Sequence, residues 1–262
     1  MLPRSKVIPL GRTRVIPTRL AGNDLTFDVY DPYEKLLLDM FNPNVVSLWP
    51  MTDRDGNTAR NSITSMPGGV YENCRLSSTP GPTGIRAPYF SGLSSMMYFY
   101  SSAFNTKFNG STGSAFVWTK FEDVSLWTDG VNQYQMYIRV DGSNYIIMNL
   151  TNTNNQIRFQ YRAGGAAEIN ESSSPYSFTN WFNLGISWSQ TDTRYYINGT
   201  QVGVMDTTLG VWAGNLDPAY CVFGHNSHIP GSTHRGWMQY ALILNRIVAP
   251  QEALNIYTMI NL

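Results

Sequence analysis

Residues 194–204 read RYYINGTQVGV, and this stretch decides the fold class. Asn198-Gly199 suits a two-residue turn whose central positions have positive φ angles. It separates Arg194–Ile197 from Thr200–Val204, two runs rich in β-branched and aromatic residues. The pattern predicts an antiparallel β-hairpin.

Other segments repeat this pattern. Asp141-Gly142 separates Tyr137–Val140 from Tyr145–Met148, which predicts a second hairpin. In Gln156–Arg162 apolar residues alternate with Gln and Arg, as expected of a strand with one solvated face. Similar short runs, separated by turn-forming residues, recur from Val45 onward, so the chain is predicted to be all-β.

Two short helices are predicted outside the β-rich part. The order Asp-Pro-x-Glu at residues 31–34 combines an N-cap, a first-turn proline and a capping-box glutamate. It predicts a helix from Pro32 to Met40. A first-turn proline likewise predicts a terminal helix from Pro250 to Met259.

The composition excludes several classes of protein. Of the 262 residues 42% are hydrophobic but only 14% are charged, which is unlike a disordered chain or a coiled coil. No apolar run is long enough for a transmembrane helix, and the N-terminus lacks the pattern of a secretory signal. Cys74 and Cys221 lie too far apart in sequence for a metal-binding pair and imply no disulfide framework.

The formal net charge of zero conceals an uneven distribution. Residues 1–23 contain Arg4, Lys6, Arg12, Arg14 and Arg19 and no acidic residue, a charge of +5, whereas the remainder carries −5. Three prolines and no helical periodicity predict an extended arm that is ordered by a partner. We therefore predict an attachment segment over residues 1–44 and one domain over residues 45–262.

Seven short segments follow one another along residues 45–260: Val45–Met51, Asp53–Ala59, Ala87–Gly92, Ala115–Lys120, Asn180–Trp188, Tyr195–Gly199 and Gly236–Leu244. Their order and spacing resemble the laminin G-like, or concanavalin A-like, jelly-roll family. The resemblance implies two stacked antiparallel sheets that commonly bind sugars or proteins, sometimes with calcium. The fold prediction is thus a two-sheet antiparallel jelly-roll sandwich with an extended N-terminal arm and a short helix at each end.

Catalysis is not expected. Glycosidases on this scaffold resemble one another in paired carboxylates that face one groove. Asn170 lies between Glu168 and Glu171, and Glu122 and Asp123 are adjacent, so neither set places two acids on one face of a strand. We predict a protein that is not an enzyme.

Asp53, Asp55 and Asn57 alternate around Gly56 and offer the hard oxygen ligands that calcium prefers. They form the candidate calcium site, and no other cofactor is predicted. The alternative is a turn rich in Asp, Gly and Asn.

Histidine, tryptophan and tyrosine provide the remaining candidate residues. His225, His228 and His234 lie within ten residues, but their spacing matches no zinc pattern, so they are interpreted as glycan or interface contacts. Five aromatic residues are predicted to stack on sugars if they lie exposed on the concave sheet: Trp127, Tyr134, Tyr137, Trp212 and Trp237. The alternative for each of them is packing in the core.

Three functions remain open at this point. The first is a structural virion protein of a bacteriophage, of the capsid-decoration type, attached to capsid proteins through its arm and multimeric in the particle. The alternative is a carbohydrate-binding module or adhesin for host-surface glycans. Nucleic-acid binding through the arm is disfavoured by the acidic body, and no membrane partner is expected.

Overall fold

A computed structural model describes residues 31–92, 94–151, 155–171, 176–203, 209–226 and 232–261. The predicted arm, with Arg4, Lys6, Arg12, Arg14 and Arg19, lies outside these ranges. The described helices are α1 (Pro32–Phe41), α2 (Ser102–Lys107), α3 (Pro250–Thr258) and the 3-10 helices η1 (Val124–Trp127), η2 (Pro218–Tyr220) and η3 (Met259–Asn261). Among them, no helix is long and apolar enough to cross a membrane.

The described strands, in chain order, are β1 (Val45–Trp49), β2 (Thr58–Ala59), β3 (Gly69–Glu72), β4 (Arg75–Pro80), β5 (Arg86–Ser91), β6 (Met96–Tyr98), β7 (Thr112–Phe121), β8 (Gln133–Asp141), β9 (Asn144–Leu150), β10 (Ile157–Ala163), β11 (Ala166–Glu171), β12 (Phe182–Ser189), β13 (Thr193–Ile197), β14 (Thr200–Val202), β15 (Val222–Phe223) and β16 (Arg235–Leu244).

The strands form two antiparallel sheets. Sheet A has the order β14-β13-β12-β7-β16-β5-β4, with β1 also paired to β16. Sheet B has the order β11-β10-β9-β8-β15-β6-β3-β2. The predicted jelly-roll sandwich is confirmed.

The main core lies between the two sheets, and β10 illustrates how the sequence produces it. Ile157, Phe159 and Tyr161 are buried in the main core, whereas Arg158 and the other alternate residues are partly exposed. Successive side chains of a strand point to opposite faces, so this alternation places the apolar set inside. The predicted strand with one solvated face is confirmed for β10.

Both predicted hairpins form, but one turn is displaced by a residue. Asn198 and Gly199 have positive φ angles of 50° and 73°, as the two-residue turn requires. In the β8–β9 hairpin Asp141 pairs with Asn144, so the turn consists of Gly142 and Ser143 rather than Asp141 and Gly142. The Asp141 carboxylate instead accepts a hydrogen bond from the Ser143 N–H at 2.7 Å.

Helices α1 and α3 cover the outer face of sheet A. Both begin where the sequence predicts, and the Asp31 carboxylate accepts hydrogen bonds from the first turn of α1. Tyr33 lies at the centre of the packing: its hydroxyl donates to the Ile256 carbonyl at 2.8 Å and accepts from the Trp118 indole N–H at 3.0 Å. The predicted boundary between attachment segment and domain, at residue 44, therefore falls between α1 and sheet A, although α1 packs against that sheet.

Substitution Tyr33→Phe would leave the buried Trp118 N–H and Ile256 carbonyl without this partner. We expect the free energy of unfolding to fall by about 1–3 kcal/mol, measured by urea denaturation. Tyr100→Phe is the control, because Tyr100 is partly buried against the same sandwich and its hydroxyl has no hydrogen bond among the described residues. Equal stability of the two variants would contradict this role of Tyr33.

Candidate functional site

A groove of about 490 Å³ lies beside the start of β7 and the end of β16. We call it the Trp212 groove. Its described lining includes the indole of Trp212, the amides of Asn105, Asn109 and Asn245, and one charged side chain, Lys107. It thus combines an aromatic ring with neutral hydrogen-bonding groups. Trp212, which the sequence predicts to stack on sugars, is partly exposed and lines this groove.

The ring of Trp212 is held by packing. It is nearly parallel to Tyr161, with centroids 6.1 Å apart, and meets Phe108 edge-on at 6.0 Å. Gly110 allows the close approach, because a Cβ atom at that position would lie 2.2 Å from the indole ring. The ring orientation is therefore set before any ligand arrives.

Two asparagine side chains fix the loop that carries Trp212. The Asn144 Oδ1 accepts hydrogen bonds from the N–H groups of Gly164 and Ala213, at 3.0 and 3.2 Å. Three residues further along, the Asn105 Oδ1 accepts from the Leu216 N–H at 2.8 Å. The loop is therefore tied to the body at two points that follow the tryptophan.

Substitution Gly110→Ala tests whether the ring position depends on the missing Cβ. The new methyl group would displace the indole, so we expect a changed tryptophan emission spectrum and a loss of about 1–3 kcal/mol in unfolding free energy. Gly142→Ala is the control, because a Cβ there meets nothing within 4 Å. Wild-type fluorescence in both variants would contradict the packing of Trp212 on Gly110.

A second surface lies on the outside of sheet B. We call it the tyrosine face, formed by Tyr98, Tyr134, Tyr137, Tyr145, Tyr220, Arg139, Arg158 and Arg162. Within the described residues, its hydrophobic cluster includes no residue of an α-helix. The outer faces of the two sheets therefore differ, since only that of sheet A is packed against α1 and α3.

Arginine and tyrosine are paired on the tyrosine face. The Arg139 guanidinium lies 4.3 Å from the ring centroid of Tyr220, and that of Arg162 lies 5.9 Å from the ring of Tyr145. Burial raises the pKa of Tyr137, and the Arg139 charge acts in the opposite direction. Cation–π contacts of this kind hold long side chains in place on a surface.

The predicted calcium residues lie together in a groove of about 690 Å³ that also contains Arg54 and Arg60. Both carboxylate oxygens of Asp53 already accept hydrogen bonds, from the Arg60 N–H at 3.2 Å and the Tyr71 hydroxyl at 2.9 Å. Asp55 and Asn57 are exposed. The arrangement fits a turn held by its own hydrogen bonds better than a calcium loop, and calcium binding stays a prediction.

The structure corrects the surface interpretation of His234. This residue is fully buried, and its ring lies within 3.3 Å of the Thr119 hydroxyl and 3.4 Å of the Gln135 side-chain amide. It therefore connects sheet A with sheet B. His225 is also mostly buried, and His228 lies outside the described residues.

Burial lowers the pKa of His234 to about 3. Because the unfolded chain binds this proton near pH 6.5, the contribution of neutral His234 to stability is complete above that pH and is lost as pH falls toward 3. We expect the free energy of unfolding, measured in urea, to decline as pH falls from 6 to 4. The decline should be steeper for the wild type than for His234→Gln, by about 1.4 kcal/mol per pH unit. Identical pH slopes from 6 to 4 would contradict the assignment.

Trp127 is also corrected. Only 2% of it is exposed, its ring lies 5.0 Å from Phe121, and its indole N–H donates to the Phe178 carbonyl at 3.2 Å. A sugar has no access to this ring, so Trp127 is a core residue. Of the three predicted tryptophans, Trp212 alone lines one of the two grooves described above.

The described carboxylates of the rejected catalytic sets are engaged elsewhere. Glu122 forms an ion pair with Arg235 at 3.1 Å, and Asp123 caps η1 by accepting from the Ser125 N–H at 2.7 Å. The side chains of Glu168 and Glu171 lie outside the described part of the chain.

Sequence reasoning missed the residues around Trp212. Asn105, Gly110 and Asn245 come from three distant segments, and no local spacing relates them. The Asn-Gly-Ser triplet at 109–111 was the available signal, because it predicts a tight turn that brings backbone close to a neighbour.

No protein-family model matches the sequence, and no curated protein matches it significantly. Solved structures do match. Domain 4 of the GH43 extracellular arabinanase AbnA from Geobacillus stearothermophilus, solved in complex with arabinotriose, superposes with a TM-score of 0.63 at 15% identity, over 82% of this chain and 98% of that domain.

Two larger proteins are similar over part of their length. Trypanosoma rangeli sialidase, solved with sialic acid, gives a TM-score of 0.61 at 11% identity, over 81% of this chain and 32% of the sialidase. The receptor binding domain of botulinum neurotoxin mosaic serotype C/D gives 0.60 at 12% identity, over 82% of this chain and 51% of that domain. These neighbours share the two-sheet jelly-roll β-sandwich fold of this chain. At such identities they establish the fold alone.

Proposed function

We propose that the protein is a carbohydrate-binding module whose ligand occupies the Trp212 groove. The observation that carries the proposal is a pre-positioned, partly exposed indole surrounded by three asparagine amides. A sugar ring offers apolar C–H groups to an aromatic ring and hydroxyl groups to amide donors and acceptors. The groove has both kinds of partner.

The size and charge of the groove indicate a class of sugar. Ligand pockets commonly measure about 300–1,000 Å³, and this groove measures about 490 Å³. The described lining carries one charge, that of Lys107, so a neutral oligosaccharide is favoured over a polyanion. The arabinanase domain, of the same fold, was solved with such a ligand, arabinotriose, and this supports the proposal.

The test is binding of neutral oligosaccharides, arabinotriose among them, by calorimetry and on a glycan array. Trp212→Ala should weaken binding about tenfold or more, because truncated aromatic anchors commonly cost that much. Trp181→Ala is the matched control: Trp181 is also partly exposed, but it packs against the cluster under α1 and α3, and its indole N–H donates to the Pro80 carbonyl at 3.2 Å.

Asn245→Ala is a second test that does not depend on whether Trp212→Ala folds, because Asn245 is exposed and lines the same groove. We expect it to weaken binding while preserving the melting temperature. Binding that survives both substitutions, or no binding to any neutral glycan, would refute the proposal.

A second proposed role is attachment to a virion as a decoration protein. It is supported by the +5 charge of residues 1–23 and by the position of Asp31, which accepts a hydrogen bond from the Tyr240 hydroxyl at 2.8 Å on the outer face of sheet A. The chain therefore enters the body on the side opposite the tyrosine face. In this role the arm grips capsid proteins, copies assemble in the particle, and the groove contacts host glycans.

Deletion of residues 1–23 should abolish association with particles of the source while leaving binding of neutral glycans unchanged. Co-sedimentation with purified particles measures the first effect. A chain missing from wild-type particles, or a deletion variant that still sediments with them, would refute attachment through the arm.

A further inference from the structure

We propose that the tyrosine face is a second binding site, for a polysaccharide that carries carboxylate groups, and that Arg139 and Arg162 bind those carboxylates. This site is separate from the Trp212 groove and does not depend on it. The register of three neighbouring strands brings its residues together.

Arg139 of β8, Tyr145 of β9 and Arg162 of β10 form one row across sheet B, because Tyr145 is the direct partner of both arginines. Directly paired residues share a face of the sheet. Two strand spacings separate the arginine Cα atoms by about 10 Å. All three side chains are partly exposed.

The arginines are held before a ligand arrives. The Arg139 guanidinium lies 4.3 Å from the Tyr220 ring, and the Nε of Arg162 donates to the Gly165 carbonyl at 3.1 Å. Guanidinium groups fixed in this way lose less conformational freedom on binding. Their terminal N–H groups form the planar fork that suits a carboxylate.

Neither arginine forms an ion pair with a described carboxylate. Asp141 is the nearest acid in sequence to Arg139, but its Oδ1 is occupied by the Ser143 N–H and the Asn144 amide, at 2.7 and 3.1 Å. Arg158 is left out of the proposed pair because its register partner on β11 is Glu171. The row thus presents two positive charges on a body of net charge −5.

The observations favour an acidic glycan over a single-stranded nucleic acid. Nucleic-acid surfaces use exposed aromatic rings on which bases stack, whereas Tyr137 and Tyr134 are only 7% and 9% exposed. Tyr145 between two arginines leaves room for a sugar ring between two carboxylates.

The experiment compares polygalacturonate with the same polymer after reduction of its carboxyl groups, using affinity electrophoresis at low salt. We expect binding of the acidic polymer only, with affinity that falls as sodium chloride is added. We expect the double variant Arg139→Gln/Arg162→Gln to bind the acidic polymer about tenfold more weakly, or to lose binding altogether. Arg86→Gln is the matched control, because Arg86 is an exposed arginine of β5 on sheet A whose register partner is Pro80.

Trp212→Ala separates the two proposals, since it should bind polygalacturonate as the wild type does even if the groove binds no sugar. Melting temperatures verify that each variant is folded. Equal binding of the acidic and reduced polymers, no binding, or full binding by the double variant would overturn the inference. Tighter binding of a thymidine oligonucleotide than of polygalacturonate would also overturn it.

Discussion

The hydroxyl of Tyr33 joins parts of the chain that are far apart in sequence. It donates to the carbonyl of Ile256 in α3 and accepts from the indole of Trp118 in β7, and its ring meets Tyr240 edge-on at 4.6 Å. A buried polar group without a partner is costly, so these residues must meet together. Their meeting holds two helices against part of the outer face of sheet A, and that part is consequently closed to ligands.

The two surfaces proposed for recognition lie at the edge of the sandwich and on sheet B. One segment serves both. The first part of residues 209–220 places Trp212 in its groove. The segment then passes β8, where the Asp217 N–H donates to the Arg139 carbonyl at 2.8 Å. It ends at Tyr220, whose ring lies under the Arg139 guanidinium. The two surfaces therefore share a support, although different side chains supply their chemistry.

Local patterns predicted the elements well and the surfaces poorly. Asn198-Gly199 and the cap at Asp31 are decided by neighbours in sequence, and both are confirmed. Trp127 and Trp212 look alike in sequence, and their different exposure depends on segments that pack over one and not over the other. His234 shows the same limit, because a histidine in a polar loop sequence lies fully buried between the two sheets. The alternation of residues in β10 was enough to predict one solvated face. The Arg139–Tyr145–Arg162 row could not be predicted from sequence, because it depends on the register of three strands.

The position of α1 also determines how the molecule would be presented. Asp31, where the described chain begins, lies against Tyr240 on the outer face of sheet A. A support that held each copy at the outer face of sheet A, beside Asp31, would leave sheet B facing outward. An array of such copies would engage a repetitive polymer at many points at once, and the resulting avidity would exceed single-site affinity by orders of magnitude without any new contact.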